Sequence, residues 1–450
     1  ALSFVITAFF YSNLLADTIV LDGGMASALQ VTQERTFSVP AGGLKKLSFR
    51  FANPAGFRNG PIVQEISSRS LTFDPKPESV TTETDSFGNT FTVAVWRNLN
   101  RNPVVRESFR VALKINLTGI KSSAPYPLPP GAVPEDVKRF LQPAPMVQSQ
   151  AAEIIELSKT LTKGALSAQD AATAIMNWVV DNIRYRTPIP AYDAAITLSA
   201  KEGNCQNFSH LSIALLRAAG IPARIAGGIS LGKSWKAPLK NGSLLQTIGQ
   251  GGHAWMEVWY PDLEWAPYDA QQSHLFVGPR HIKQTVGLDS NDINDSWRAS
   301  PALPAFKEVI AADYLNEDFR LSLKETVSSP ESYILTSSLV PSAAPLPPPV
   351  KPREPEMVPF DKEVEFGNMT FPQLMDFHIS IKSDIGVKTF DKETAEYVTG
   401  AETFAQAFTL SRPLRLSTIS LAMHKFGGRL GSLWIDVVKD GGGRPGTEGI

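Results

Sequence analysis

The hydrophobic pattern divides the chain into regions with different periods. Residues 30–120 alternate apolar and polar positions in short runs, as at 44–51 and 91–96, and turn signals such as Asn59-Gly60 separate these runs. Alternation with a period of two is typical of strands that bury one face. We therefore predict an N-terminal β-sandwich over residues 25–124, which a proline-rich segment closes.

The middle region, residues 135–335, has a helical period first and a strand period afterwards. Ser167 stands three residues before Asp170, a capping-box spacing that predicts a helix start. A second amphipathic helix is predicted from Asn204 and stops at Gly220. Strands are predicted at 223–231, 253–260 and 265–270. Helices followed by a sheet indicate an α+β domain.

The last part of the chain begins with a spacer. Eight prolines fall between positions 341 and 359, a density typical of an extended, semi-rigid segment, so residues 338–360 are predicted to be a linker. Alternation returns between 404 and 438, and the sequence ends in a glycine-rich turn. We therefore expect residues 361–450 to be a second β-sandwich that is truncated.

Composition and charge exclude several classes of protein. Hydrophobic residues make up 43% and charged residues 19% of the 450 residues, which is a globular balance. The net charge of −1 provides no basic field for nucleic acid or anionic lipid. The expected partner is therefore a protein or peptide substrate, without nucleic acid and without a membrane span.

The first residues suggest export. Positions 2–15 are uncharged and largely apolar, with a small residue, Ala16, before the first acid. This length suits the apolar region of a signal peptide and is too short to span a bilayer, so residues 1–16 are predicted to be a partial signal peptide. A buried first strand is the alternative. We expect a periplasmic or extracellular protein, in which the C-terminal domain could contact the cell envelope or a polymer.

The single cysteine, Cys205, is the first candidate for chemistry. It excludes an intrachain disulfide or a cysteine-cage metal site, and it opens a predicted helix, whose N-terminus stabilises a thiolate. Among the six histidines, His253 follows a glycine-rich approach and starts a strand. Asp269 lies near the end of the next predicted strand, where antiparallel pairing would set it beside His253. These three residues can form a nucleophile, a base and an orienting acid.

At this point the sequence resembles the transglutaminase-like superfamily, whose core has a papain-like fold. The resemblance runs from residue 151 to 292 and rests on the motifs at 203–205, 216–224, 253–258 and 265–269. It implies that Cys205 is the nucleophile, His253 the general base and acid, and Asp269 the residue that orients His253. The sequence contains no metal-binding or nucleotide-binding motif, so we expect no cofactor and no metal. The predicted N-terminal domain, with residues 85–89, is similar to the domain that often precedes this core in bacterial members, and the C-terminal part resembles a small sandwich appended to exported bacterial proteins.

The resemblance implies acyl transfer through a thioester, with hydrolysis of peptide or carboxamide bonds ranked first. There are two alternatives. One is protein cross-linking by a protein-glutamine transglutaminase, and the other is a non-catalytic exported scaffold or binding protein. The oxyanion would be held by the Cys205 N–H and a side-chain donor. Tyr185 and Trp178 are both candidates for that donor, and neither is preferred. Because an exported thiol is exposed to oxidation, activity should fall without a reductant.

Other motifs are given weaker interpretations. Residues 228–232 match the G-x-S-x-G pattern of serine hydrolases, but the helix which that chemistry requires is replaced by a predicted loop. No histidine pair has the i, i+4 spacing of a zinc helix. Glu257 falls on the His253 side of its strand, so it could tune the site or pair with Arg224. The structural pairing is the interpretation we favour.

Overall fold

The structure is a computed structural model. It describes residues 16–233, 235–239, 242–246, 249–271 and 277–329, with seven shorter segments at 334–336, 364–366, 375–383, 386–392, 408–410, 438–440 and 445–449. The predicted linker 338–360 therefore lies outside the described residues, as do residues 1–15 of the predicted signal peptide.

The strands up to residue 329 are β1 (Ala16–Ser38), β2 (Leu44–Ala52), β3 (Phe57–Asn59), β4 (Ile62–Asp74), β5 (Ser79–Thr84), β6 (Thr90–Leu99), β7 (Val104–Asn116), β8 (Arg184–Tyr185), β9 (Glu202–Gly203), β10 (Ala223–Ser230), β11 (Trp235–Leu239), β12 (Gly242–Gln246), β13 (Gly251–Tyr260), β14 (Glu264–Tyr268), β15 (His281–Gly287), β16 (Ser296–Ser300) and β17 (Ala305–Ser329). Short strands follow: β18 (Ile334–Thr336), β19 (Val364–Phe366), β20 (Met375–Ser383), β21 (Gly386–Lys392), β22 (Phe408–Leu410), β23 (Val438–Asp440) and β24 (Pro445–Gly449).

The helices are α1 (Glu135–Lys138), α2 (Ala152–Leu161), α3 (Ala168–Asn182), α4 (Ala194–Ala200), α5 (Cys205–Ala218) and α6 (Ser290–Ile293), with 3₁₀ turns at Leu117–Gly119 and Arg139–Leu141. None of the helices among the described residues has the length and apolar character needed to cross a membrane.

The N-terminal strands form two sheets, in the orders β17-β1-β7-β4-β3 and β16-β2-β6-β5. Their alternating inward side chains meet in a cluster rich in aromatic rings, including Phe37, Phe49 and Trp96. The strand period predicted over this region is therefore confirmed. Its arrangement as a sandwich and its limits at 25 and 124 stay predictions.

Both sheets include strands from beyond the helical region. β1 pairs with β17 along its whole length, from Ala16 opposite Ser329 to Ser38 opposite Ala305, and β16 pairs with β2. After the N-terminal strands the chain forms the helical region, and β16 and β17 then pair with strands of the same two sheets. Residues on both sides of that region therefore share one framework. The predicted core limits at residues 135 and 335 stay predictions.

The central region has a four-stranded antiparallel sheet in the order β14-β13-β10-β15. α3 begins where it was predicted, because Ser167 and Asp170 cap each other. Apolar side chains of α3 and α5 form one buried cluster with alternate residues of β13, among them Met256 and Val258. The helices thus cover one face of this sheet.

The N-terminal strands cover the edge strand β15. The side-chain amide of Gln64 accepts from the Lys283 N–H at 3.0 Å and donates to the Lys283 carbonyl at 2.7 Å. The Asn89 amide makes the same pair of bonds with Val286, at 2.8 and 2.6 Å. Buried backbone groups must be paired, and here side-chain amides satisfy a strand that lacks a second neighbour.

The C-terminal third is described only as short strands. β19 pairs with β22, β20 with β21, and β23 with β24, while β12 from the central region pairs with β20. These pairings agree with a β-rich C-terminal part. The predicted truncated sandwich over 361–450 stays a prediction.

Candidate active site

Cys205 occupies the first position of α5, as predicted. The Asn204 side chain accepts from the Gln206 N–H at 3.0 Å and exchanges a reciprocal pair of bonds with Asn207, so the helix starts in a full capping box. A Cβ on Gly203 would meet the Asn207 Cβ at 2.2 Å, which explains why a glycine precedes the cap. The thiol is therefore held at a rigid helix N-terminus.

His253 and Asp269 meet through the hairpin of β13 and β14. In its antiparallel register Met256 pairs with Tyr268, which brings the residue after β14 back toward the start of β13. The His253 Nε2–H donates to Asp269 Oδ2 at 2.8 Å, and the two side chains are 6% and 2% exposed. β14 ends at Tyr268, one residue before the predicted acid, because Asp269 Oδ1 accepts the Gln271 N–H at 3.0 Å in a turn.

Cys205 lies close enough to the His253 ring to raise its pKa, so the structure brings all three predicted site residues together. Burial on its own lowers the pKa of His253, but the charge and hydrogen bond of Asp269 and the contact with Cys205 outweigh burial and raise it to about 10. For Asp269, burial is opposed by the charge and hydrogen bond of His253, and its pKa lies well below the usual range. The arrangement favours an imidazolium against a carboxylate.

A fourth residue, His281 at the start of β15, was missed by the sequence reasoning. Its Nε2–H donates to Asp269 Oδ2 at 3.2 Å, and its Nδ1 accepts the Gly278 N–H at 3.2 Å. The side chain is 1% exposed. Burial lowers the pKa of His281 despite the neighbouring carboxylate, so the ring is neutral at pH 7.

His253, Asp269 and His281 could be considered as metal ligands, since their ligand atoms lie within 4.8 Å of one another. A histidine that binds a metal through one nitrogen normally donates the N–H of the other nitrogen to an acceptor. His281 does the opposite, because its Nδ1 accepts a backbone N–H. The proton is then on Nε2, which donates to Asp269. The donor set fits a hydrogen-bonded carboxylate better than a bound cation.

The other residues considered in the sequence take structural positions. Glu257 binds Arg224, with Oε2 2.6 Å from Nη2, which confirms the pairing favoured from sequence, and it also binds Lys283. Ser230 of the serine-hydrolase pattern is buried at the end of β10, and its hydroxyl donates to the Gly249 carbonyl.

Neither residue left open as an oxyanion donor is assigned that role by the geometry. Tyr185 lies in β8, which pairs with Gly203 of β9, and Trp178 faces Lys201, with Nζ 4.2 Å from the ring centroid. Both are partly buried against the helix-side cluster. Their roles stay predictions.

Comparison with known proteins finds a matching family and a similar fold. Residues 155–270 match the family model described as the Transglutaminase-like superfamily, a segment that includes Cys205, His253 and Asp269 and ends before His281. The solved structure of a "Putative Cysteine Protease" from Cytophaga hutchinsonii aligns with a TM-score of 0.53 at 20% identity, covering 67% of this chain and 94% of that one. This likeness shows a shared fold.

Two curated relatives match shorter stretches of the chain. The uncharacterized protein YebA of Bacillus subtilis is 36% identical over 90 residues, 20% of this chain and 12% of YebA. A protein-glutamine gamma-glutamyltransferase of Pseudomonas aeruginosa is 33% identical over 96 residues, 21% of this chain and 13% of that protein. The chain thus spans about an eighth of the length of either relative. The resemblance inferred from the motifs is confirmed: residues 155–270 form a segment that matches the transglutaminase-like superfamily.

Proposed function

We propose that the protein is a cysteine-dependent acyl-transfer enzyme that acts on peptide or carboxamide bonds. The observation that carries this proposal is the continuous chain of contacts from the Cys205 thiol to the His253 ring and from that ring to Asp269. A nucleophile at a helix N-terminus, a base within hydrogen-bond reach and an acid that orients the base are the parts that thiol acyl transfer requires.

The reaction starts with attack of the Cys205 sulfur on the substrate carbonyl. Because the Nε2–H of His253 is held by Asp269, Nδ1 is the ring atom left to exchange a proton with the thiol. In the imidazolium that the Asp269 contact favours, this proton is already on Nδ1, so the sulfur attacks as a thiolate. His253 delivers the proton to the leaving amine as the C–N bond breaks, which leaves a thioester on Cys205. Asp269 keeps the ring orientation and stabilises the imidazolium during this transfer.

The negative oxygen of the intermediate needs donors that are already in place. The Asn204 side chain takes the N–H groups of Gln206 and Asn207. Among the described residues, none accepts a hydrogen bond from the Cys205 N–H, which lies at the positive end of α5. This N–H is the first donor of the proposed oxyanion site.

Resolution of the thioester decides the type of enzyme. Water attacking the thioester, with His253 removing its proton, releases a carboxylic acid and makes the protein a peptidase or amidase. Hydrolysis is our first choice. A lysine amine in place of water would form an isopeptide bond, and the relative named as a protein-glutamine gamma-glutamyltransferase favours this second candidate.

The test is incubation of the protein with casein and a fluorescent primary amine, with a reductant present and Cys205→Ala as the matched control. Released peptides support hydrolysis, and amine incorporated into casein supports cross-linking. If neither product depends on Cys205, and iodoacetamide labels native Cys205 no faster than free cysteine, the acyl-transfer proposal is wrong and a binding role replaces it.

The place of action is also proposed as outside the cytoplasm, in the periplasm or beyond. The apolar segment at residues 2–15 supports this. Fusion of residues 1–20 to a reporter enzyme that is active only after export tests it, with a fusion that starts at residue 17 as the control.

A further inference from the structure

We propose that His281 is a positioning residue which fixes the Asp269 carboxylate, and through it the His253 ring, for the reaction proposed above. This inference rests on the proposed function, since it concerns the same thiol. The residue lies outside the segment matched by the family model, which ends at residue 270.

The first argument is the way in which Asp269 is held. Its Oδ2 accepts from His253 at 2.8 Å and from His281 at 3.2 Å, and its Oδ1 accepts the Gln271 N–H at 3.0 Å. A carboxylate with one bond could rotate about its χ2 axis. With donors on both oxygens, the plane of this carboxylate is fixed, and the direction of the His253 ring is fixed with it.

The second argument is the tautomer of His281. Its Nδ1 accepts the Gly278 N–H at 3.2 Å, so the ring carries its proton on Nε2 and is aimed at Asp269. The Gly278 N–H therefore sets the tautomer of His281, so that Nε2–H is the donor and the ring stays neutral. A neutral donor steadies the carboxylate without adding a positive charge that would compete with the His253 imidazolium.

The third argument is packing. The indole of Trp255 packs against both imidazoles, stacked on His253 with centroids 5.9 Å apart and edge-on to His281 at 5.3 Å. The two imidazole centroids lie 5.5 Å apart, so the three rings pack against one another. Glu257 and Lys283 face the same small cavity as His281, but they bind each other and leave the imidazole to Asp269.

The test compares His281→Leu, which removes both ring bonds, with His281→Gln, whose amide can accept from Gly278 and donate to Asp269. His210→Gln is the matched control. His210 is also a buried neutral histidine with both nitrogens bonded to the backbone, at Tyr192 and Ser290, without contact to Asp269. All variants are compared at equal folded fraction, measured by denaturation.

For His281→Leu we expect kcat to fall about 10- to 100-fold with KM changed less than about twofold, as is typical for loss of an outer partner of a reactive group. The iodoacetamide rate constant of Cys205 should fall in parallel. His281→Gln should recover most of both, and His210→Gln should alter neither by more than about twofold.

Two results separate the inference from the proposed function. If wild-type Cys205 reacts no faster than free cysteine, the proposed function is lost. If it reacts fast and His281→Leu reacts equally fast, only the positioning role is lost. Histidine-selective ¹⁵N spectra of the wild type provide a test that needs no variant: His281 should show protonated Nε2 and bare Nδ1 from pH 7 to 9. A proton on Nδ1, which would free Nε2 for a metal, overturns the inference.

Discussion

Two buried polar groups lie on the same face of the β13 sheet and differ in what they can do. His253, Trp255 and Glu257 alternate along β13 and share that face. On one side of Trp255 is the histidine set, His253, Asp269 and His281. On the other is the lysine set, Arg224, Glu257 and Lys283.

In the lysine set the charged groups are paired with one another. Glu257 lies between two cations, with Oε2 2.7 Å from Arg224 Nε and Oε1 2.5 Å from Lys283 Nζ. Burial alone would raise the pKa of Glu257, but the two cations hold it below the usual range. The Lys283 ammonium is also covered by the Phe57 ring, 3.6 Å from its centroid. Glu257 therefore stays a carboxylate near pH 7.

The histidine set is as deeply buried, yet it contains a proton that can move. Its one acid faces two imidazoles, of which His253 also contacts the Cys205 thiol. Burial and strong pairing are therefore common to both sets and do not distinguish a reactive site from a structural one. The difference is a ring whose proton can pass to a neighbouring nucleophile.

The largest expected effect comes from Asp269→Asn. The amide cannot stabilise an imidazolium and can favour the wrong ring tautomer, so kcat should fall about 10³- to 10⁴-fold. The measurement is steady-state kinetics on casein, with Cys205→Ala as the zero-activity reference. Retention of more than a tenth of the wild-type kcat would remove Asp269 from the proposed mechanism.

Glu257→Gln should act on stability instead. It leaves Arg224 and Lys283 without a counter-charge at 14% and 10% exposure, and breaking a buried pair in this way costs about 3–5 kcal/mol. Urea unfolding measures the loss, and kcat of the folded protein should stay within about twofold of the wild type.

The double variant Glu257→Gln with Lys283→Met is the control for that effect. Removing the buried ammonium together with its partner should recover most of the lost stability, because an apolar side chain has no desolvation penalty. If Glu257→Gln lowers kcat as strongly as Asp269→Asn does, the separation between the two sets is wrong.

The two sets should also respond to alkaline pH with opposite sign. The pKa of His253 is raised to about 10, so its contribution is fully present below about pH 6.5 and is lost as pH rises toward 10. For Lys283, burial outweighs the charge of Glu257 and lowers the pKa. The unfolded chain then binds the extra proton, and this contribution to stability grows as pH rises toward the ordinary lysine value.

Free energies of unfolding at pH 7 and 9 test this contrast. The stability difference between the wild type and Asp269→Asn should shrink by about 1–3 kcal/mol over that interval, because only the wild type contains the imidazolium pair. The difference between the wild type and Lys283→Met should change in the other direction. Parallel changes in both differences would contradict the assignment of charges.

The sequence allowed some of these contacts to be predicted, and the reason is their spacing. Asn204, Cys205 and the start of α5 follow from capping rules over a few residues, and His253 meets Asp269 across a single hairpin. Both are local events that a periodic pattern can indicate. The Arg224–Glu257 pair was also predicted, since the two residues lie on neighbouring strands.

The missed contacts depend on pairing between distant segments. His281 reaches Asp269 because β15 pairs with β10 across more than fifty residues, with a register shift at Gly227 and Gly228. The pairing of β1 with β17 joins opposite ends of the described framework. Hydrophobic alternation indicates that such segments are strands, but it contains no information on which strand is the neighbour.

The smallest expected effect is that of Arg224→Lys, which keeps the charge of the lysine set and removes its planar group. Arg224 lies over Trp265, with its guanidinium carbon 3.9 Å from the ring centroid, and a lysine would lose this stacking and one of the bonds to Glu257. The cost should be about 0.5–1 kcal/mol in urea unfolding, with kcat unchanged. Arg224→Met, which removes the charge too, should cost more than Arg224→Lys. Equal losses of stability in the two variants would mean that the shape of the side chain, and not its charge, holds Glu257 in place. The lysine set and the histidine set would then differ in geometry and not in charge pairing.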